Sequence, residues 1–184
     1  MNTPSRRAVF LDRDGVLIAA IVRDNKPFAA TRPEDVVLTE GARDACALLS
    51  RLGFFLVMTT NQPDVARGKI DRAFVDETNA MLAQELALDA VRVCYHDNKD
   101  GCDCRKPLSG LMTHAARDFG IDLAASYVVG DRWRDIDAGH AAGCRTIFID
   151  YGYDEALREK PDHVAHSLRD AVEWVSGQTN DGTP

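Results

Sequence analysis

The chain has 184 residues, 45% of them hydrophobic, and a formal net charge of −7. That is enough chain for one domain with a sizeable core, and no apolar run is long enough to span a bilayer. The acidic balance argues against a general nucleic-acid binder, which carries a basic face or stripe, but not against an anionic substrate, because local cations and a metal override the overall field.

In chain order, the apolar run Ala8–Leu11 reads as a buried parallel strand. It leaves Asp12 and Asp14 at its C-terminal edge, pointing to the same side, and that edge is where open α/β sheets bind ligands. One carboxylate can attack an electrophile while the other moves protons; the plainer reading is a solvated turn. Residues 16–40, with Pro27 and Pro33, form a flap over the strand end, since long loops there are usually functional. Gly41–Leu52 has helical period, with Ala45, Leu48, Leu49 and Leu52 on one face and Gly53 placed to end it. Strands Phe54–Thr59, Ala90–Cys94, Tyr127–Val129 and Arg145–Ile149 alternate with helices Asp71–Leu86, Ser109–Phe119 and Trp133–Ala142. A last helix surrounds Ser167–Val175, Asp154–Asp162 reads as a solvated linker, and 178–184 as a disordered tail. The alternation predicts a single α/β domain over 1–177 with a doubly wound parallel sheet. Met1 to Arg7 leads into no secretory apolar segment, so a cytoplasmic location is expected.

Polar residues follow four of these elements: Asp12-x-Asp14, Thr60-Asn61-Gln62, Arg105-Lys106-Pro107 and Gly130-Asp131 with Asp135. Singly each has a plain reading as a turn, a cap or solvated cations; in this order at successive strand ends they point to one site. The segment 94–107 is too polar for a helix. Cys94-x-His96 and Cys102-x-Cys104, joined by a five-residue loop, form a Cys₃His set suited to a closed tetrahedral Zn²⁺. The alternative is a chance cluster of reduced cysteines beside an exposed histidine. Zinc would replace a hydrophobic core for this loop and fix where Arg105 and Lys106, next to Cys104, point. Cys46 and Cys144 read as packing residues, His114, His140, His163 and His166 as surface residues on or near helices, and Trp133 as either helix packing or a wall of the site.

The pattern D-x-D-G, Thr, Lys, G-D-x-x-x-D resembles the haloacid dehalogenase-like phosphohydrolases over Ala8 to Asp150. The resemblance implies a Rossmann-like core and Mg²⁺-dependent phosphoryl transfer through an aspartyl-phosphate. Asp12 would be the nucleophile and Asp14 the acid for the leaving alkoxide, then the base for water. Asp12, the backbone carbonyl of Asp14 and Asp131 would supply hard oxygen ligands to Mg²⁺. Lys106 and the Thr60 hydroxyl would neutralise and hydrogen-bond the phosphoryl oxygens, with Asp135 orienting Lys106 or a metal-bound water.

The zinc loop followed by C-R-K-P is similar to one branch, the heptose bisphosphate phosphatases, shared closely by histidinol-phosphate phosphatases; both lack a large cap domain. It implies substrate contacts from Arg105 and, through the stretch Asn61-Gln62…Ala66-Arg67-Gly68, from Asn61, Gln62 and Arg67. Two departures bear on the sugar: Pro63-Asp64 replaces the usual small residue and glycine, and the flap is longer, with no clear match to the sugar-contacting segment in Ile18–Ala30. The partner expected is a small phosphorylated metabolite, a sugar bisphosphate, with no nucleic acid or membrane, and the chain a monomer or small homo-oligomer. Histidinol-phosphate hydrolysis, a nucleic-acid 3′-phosphatase resembling Arg105–Gly110 and a non-catalytic phosphate-binding module are the competing readings.

Overall fold

The computed structural model describes residues 5–180. Strand β1 (Ala8–Asp12) lies at the centre of a six-stranded sheet. On one side are β4 (Phe55–Asn61) and β5 (Ala90–Cys94); on the other β6 (Tyr127–Gly130), β7 (Arg145–Ile149) and β8 (His163–Ala165). All pairings are parallel. The order β5-β4-β1-β6-β7-β8 reverses direction at β1, which opens a crevice at the carboxyl ends there.

Every residue of β1 is buried, as a strand covered on both faces requires. Its period of two divides the core: Val9 and Leu11 join the cluster under α1 (Ala42–Arg51) and α6 (Leu168–Asn180), while Ala8 and Phe10 join the one under α4 (Gly110–Phe119) and α5 (Trp133–Ala142). Between β4 and β5 the chain forms α2 (Pro63–Ala66) and α3 (Arg72–Glu85). Glycine ends α4 and α5 in the left-handed conformation, at Gly120 and Gly143. Cys46 and Cys144 are buried packing residues, and burial pushes both thiols up to about 12. No described helix is long and apolar enough to cross a membrane.

The flap contains a hairpin, β2 (Ile21–Arg23) and β3 (Lys26–Phe28), around Asp24 and Asn25, both at positive φ. That is the conformation of a two-residue type I′ turn. The hairpin is docked: Asn25 O accepts from Asp154 N (2.9 Å), Asn25 Nδ2 donates to Gly152 O (2.9 Å), and Pro27 O accepts from Arg132 (3.2 Å). The stretch after β7, expected to be a solvated linker, is therefore partly a support for the flap.

Three further expectations change. The edge strand β8 is additional, and His163 stands in it, half-buried and stacked on Trp174 (4.7 Å between ring centroids) rather than on the surface beside a helix. His114 and His140 are likewise half-buried, bonded to Asp103 and Thr146 (2.9 Å each). Helix α6 continues to Asn180, so residues 178–180 are not the start of a disordered tail; Thr179 Oγ1 donates to Ser176 O (2.8 Å), satisfying a carbonyl of the last turn. Residues 181–184 lie outside the described residues.

Candidate active site

The strand register brings the motifs together. Asp12 pairs with Thr59, and Leu11 with Val129, so Thr60, Gly130 and Asp131 emerge level with the D-x-D segment at one sheet edge. Lys106 arrives from the loop after the cysteine cluster. It is 3% exposed, and its Nζ donates to Asp12 Oδ1 (2.7 Å) and Thr59 O (3.0 Å) and pairs with Asp135 Oδ1 (2.5 Å). Asp135, at the first turn of α5, also accepts from Arg132 N (3.1 Å). The carboxylates of Asp12, Asp131 and Asp135 lie within 4.8 Å of one another. Asp135 therefore reaches the same point as the other two, besides orienting Lys106.

Three buried carboxylates face one ammonium, and the electrostatics follow. Burial pushes Asp12 up to about 7 against the opposing pull of Lys106, with Asp135 repelling it further. Burial, then Asp12 and Asp135, hold Asp131 well above the usual carboxylate range. Burial would lower Lys106, but Asp12 and Asp135 outweigh it and raise the amine. Both Asp131 oxygens are buried with no hydrogen-bond partner. A buried carboxylate rarely stays unpaired, and an oxygen set with surplus negative charge suits a hard divalent cation such as Mg²⁺.

Gly15, at φ +93, makes room for that carboxylate: a Cβ there would overlap Asp131 Oδ2 and Cγ. Gly15→Ala is expected to raise the Mg²⁺ concentration for half-maximal phosphate release by about tenfold or more, read by metal titration. An unchanged titration would separate Asp131 from the metal.

The remaining expected residues divide. Asp14 lies at the cleft wall, its carboxylate accepting from Arg13 Nε (3.0 Å) and Nη2 (3.2 Å), Ala30 N (3.1 Å) and Gln62 Nε2 (3.0 Å). Gln62 is 2% exposed, also donates to Thr60 Oγ1 (2.8 Å), and is a brace rather than the expected substrate contact. Asn61 clamps the Lys106 backbone through Nδ2 to O (2.9 Å) and Oδ1 from N (3.1 Å), which positions Lys106; it also lines the cleft, with its second N–H and second lone pair uncommitted. Arg67 lines the cleft with both terminal nitrogens committed, to Asp64 (3.1 Å) and Asp97 (2.6 Å), so it ties α2 to the 94–107 segment. Arg105 is held by Asn98 Oδ1 (2.8 Å) and points into the cleft.

Arg13, between the two aspartates, was not singled out in the sequence. It is fully buried, and also donates to Asn79 Oδ1 (3.1 Å). Asn79 and Thr78 on the buried face of α3 are the available sign that a polar partner sits beneath. Arg132, Arg134 and Glu155 were also missed. Arg132 and Arg134 line the cleft and share Glu155. Burial lowers Arg134, with Arg132, Arg105 and Arg158 adding like charge.

The cavity, about 350 Å³, runs from Asp12 and Lys106 to Phe28 on the flap and Arg105 on the other wall, within the range of small-molecule sites. Beside it, Cys94 Sγ lies 3.7 Å from His96 Nδ1 and 3.8 Å from Cys102 Sγ, and His96 Nδ1 lies 3.4 Å from Cys104 Sγ. A tetrahedron of about 2.3 Å metal–sulfur bonds has edges of about 3.8 Å; the four donors have the spacing of a closed metal site.

The HAD-hydrolase-like family model matches residues 103–171. The chain is 38% identical over 187 residues to the D-glycero-beta-D-manno-heptose-1,7-bisphosphate 7-phosphatase of Vibrio cholerae, covering 93% of this chain and 95% of that one. It is 34% identical to that of Bordetella bronchiseptica over 151 residues, 79% and 82% of the two chains. The crystal structure of the B. bronchiseptica D,D-heptose 1,7-bisphosphate phosphatase, complexed with magnesium and phosphate, superposes with a TM-score of 0.75 at 30% identity, over 94% of this chain and 99% of that one. A cap-less parallel sheet with its acidic cluster at the carboxyl edge, and relatives of this identity over nearly the whole length, make the chain a phosphatase belonging to the heptose bisphosphate phosphatase family of HAD-like hydrolases.

Proposed function

We propose that this phosphatase removes the 7-phosphate of D-glycero-D-manno-heptose 1,7-bisphosphate, through a phosphorylated Asp12. The observation that carries the chemistry is the Asp12–Lys106–Asp135 chain beside the unpartnered Asp131 carboxylate. The substrate class rests on what the relatives act on.

Asp12, Asp131 and the backbone carbonyl of Asp14 would hold Mg²⁺, which would supply the charge neutralisation that lets a carboxylate approach a phosphate dianion. Asp12 Oδ attacks phosphorus, the P–O bond to the sugar breaks, and Asp14 gives its proton to the leaving oxygen. Asp14 then takes a proton from water, whose oxygen attacks phosphorus, releasing inorganic phosphate and free Asp12. Lys106, fixed by Asn61 and Asp135, holds the phosphoryl oxygens with the Thr60 hydroxyl. The four donors on Asp14 fix its rotamer. Gln62 can release it most readily, since its amide keeps Thr60 as a partner. Zn²⁺ on Cys94, His96, Cys102 and Cys104 has a structural role.

Histidinol phosphate fits less well. Its cationic imidazole-amine calls for an acidic or aromatic wall; Phe28 on the flap and Asp64 line the cleft and suit it, but Arg105 and Arg134 on the opposite wall place two cations where it would sit and favour a second anionic group instead. The test is kcat/KM with Mg²⁺ for the heptose bisphosphate, histidinol phosphate and a 3′-phosphorylated oligonucleotide. The heptose compound is expected to lead by at least about tenfold; a lead for either of the others overturns the assignment.

A further inference from the structure

We infer that Arg13 is a positioning residue: its guanidinium, braced from beneath by Asn79, sets the plane of the Asp14 carboxylate and presents Oδ2 to the leaving oxygen. This rests on the proposed role of Asp14 as proton donor and names the group that aims it.

Arg13 stands between the two aspartates of the D-x-D segment, yet it is 0% exposed and among the largest fully buried side chains of the protein. A buried ion pair is often no more stable than apolar side chains of the same volume. Stability alone therefore does not account for a guanidinium here. Each of its nitrogens has a partner: Nε donates to Asp14 Oδ2 (3.0 Å), Nη2 to Asp14 Oδ1 (3.2 Å) and Nη1 to Asn79 Oδ1 (3.1 Å). Its main chain is fixed as well, the carbonyl accepting from Leu17 N (3.0 Å) and Ile18 N (2.9 Å). Asn79 lies on the buried face of α3, and its Nδ2 has no hydrogen-bond partner among the described residues. A buried amide with one end unpaired costs stability. The end that is paired holds Arg13.

Of the three groups that donate to Asp14 among the described residues, only Arg13 reaches both oxygens. Ala30 N, on the flap, bonds Oδ1 (3.1 Å), and Gln62 Nε2 bonds Oδ2 (3.0 Å). A one-point contact lets the carboxylate turn about its last bond, whereas a planar fork on both oxygens sets that angle.

The four donors fill the four lone-pair directions of the carboxylate, so one must withdraw before an oxygen can carry a proton. Gln62 is that donor, because its amide keeps Thr60 Oγ1 (2.8 Å). Oδ2 then has a free lone pair while Arg13 still holds the plane. The proton passes from Oδ2 to the sugar oxygen as the P–O bond breaks, and water returns one to Oδ2 when it attacks the phosphorylated Asp12. Such transfers need the two heavy atoms within about 3 Å, and a misplacement of about 1 Å costs on the order of 10² in rate.

Two leaving groups test this with the full-length metallated enzyme. One is the alkoxide of whichever alkyl phosphate of the panel above wild-type enzyme prefers, which must be protonated. The other is the nitrophenolate of p-nitrophenyl phosphate, which leaves without a proton. Because kcat/KM ends at departure of the leaving group, it reports the step in which Asp14 donates. Arg13→Met is expected to lower kcat/KM about 100-fold for the alkyl phosphate and no more than about threefold for p-nitrophenyl phosphate. Asn79→Leu is expected to give the same split at about tenfold, and Asp14→Asn to give it in full. Should Arg13→Met not fold, Arg13→Lys, which keeps the charge but loses the fork, carries the test with Asn79→Leu. A split in Asp14→Asn with none in the folded Arg13 variant overturns the positioning role. Equal loss for both substrates does so too, since a merely structural or electrostatic cation acts on both alike. No split in Asp14→Asn overturns Asp14 as the proton donor, and the role of Arg13 with it.

Discussion

Asp12→Asn protein is expected to fold and to release no measurable phosphate. Losing a nucleophile costs on the order of 10⁴–10⁶ in rate, because an amide oxygen cannot form the covalent intermediate. The substitution is nearly isosteric, and the new carbonyl can still accept from Lys106 Nζ, now 2.7 Å from Asp12 Oδ1. It also removes one of three crowded carboxylates, whose mutual repulsion and burial already disfavour the charged form of Asp12. Thermal melting without Mg²⁺ should therefore match wild type or exceed it, while stabilisation by added Mg²⁺ should shrink with a ligand gone. The combination is diagnostic: a merely structural aspartate would lose stability along with activity. Turnover above about one per cent of wild type in the folded variant would exclude Asp12 as nucleophile.

The sheet was legible because its central strands are buried on both faces. Ala90–Cys94 and Arg145–Ile149 form strands over the expected spans, as short apolar runs with few alternatives. Trp133–Ala142 also lies within its expected bounds, with Gly143 free to take the left-handed turn. β8 was not legible: it is three residues at the sheet edge, beginning with a half-buried histidine, and its pairing to Ile147–Ile149 is its main definition.

For the site, residue types at strand ends indicated convergence but not partners. Asn61 and Gln62 read as a turn or cap from the residues alone, and as substrate contacts only through the family resemblance. In the fold, Lys106 lies 45 positions beyond Asn61 and its backbone takes one bond from each end of that amide, and Asp14 lies 48 positions before Gln62. Arg13 escaped notice for the same reason: local sequence shows two flanking acids and not Asn79 beneath them. Glu155 sat in a stretch whose mixed charges resemble solvent-facing linker, and only the folded chain shows it gathering Arg132 and Arg134.

Removing zinc is expected to cost activity without dismantling the domain. Lys106 stands two residues after Cys104, and apart from the cysteine cluster the 94–107 segment is held by polar ties such as Asn61 to Lys106, Arg67 to Asp97 and His114 to Asp103 rather than by core packing: among its cysteines only Cys94, the last residue of β5, is fully buried. Both core clusters are built mainly from strands and helices outside that segment, so a chelator should melt the loop locally. Lys106 then loses its fixed approach to Asp12, and displacement of one oriented cation costs about 10²–10³ in kcat. With Mg²⁺ kept saturating, phosphate release should fall by that factor and recover on adding Zn²⁺. Hydrogen exchange should accelerate over 94–107, while the amides of β1 and β4 stay protected. Cys104→Ser should reproduce the loss and resist rescue. Full activity in protein shown by metal analysis to hold no zinc would mean that Asn61, through its two bonds to the Lys106 backbone, is sufficient to aim the lysine alone.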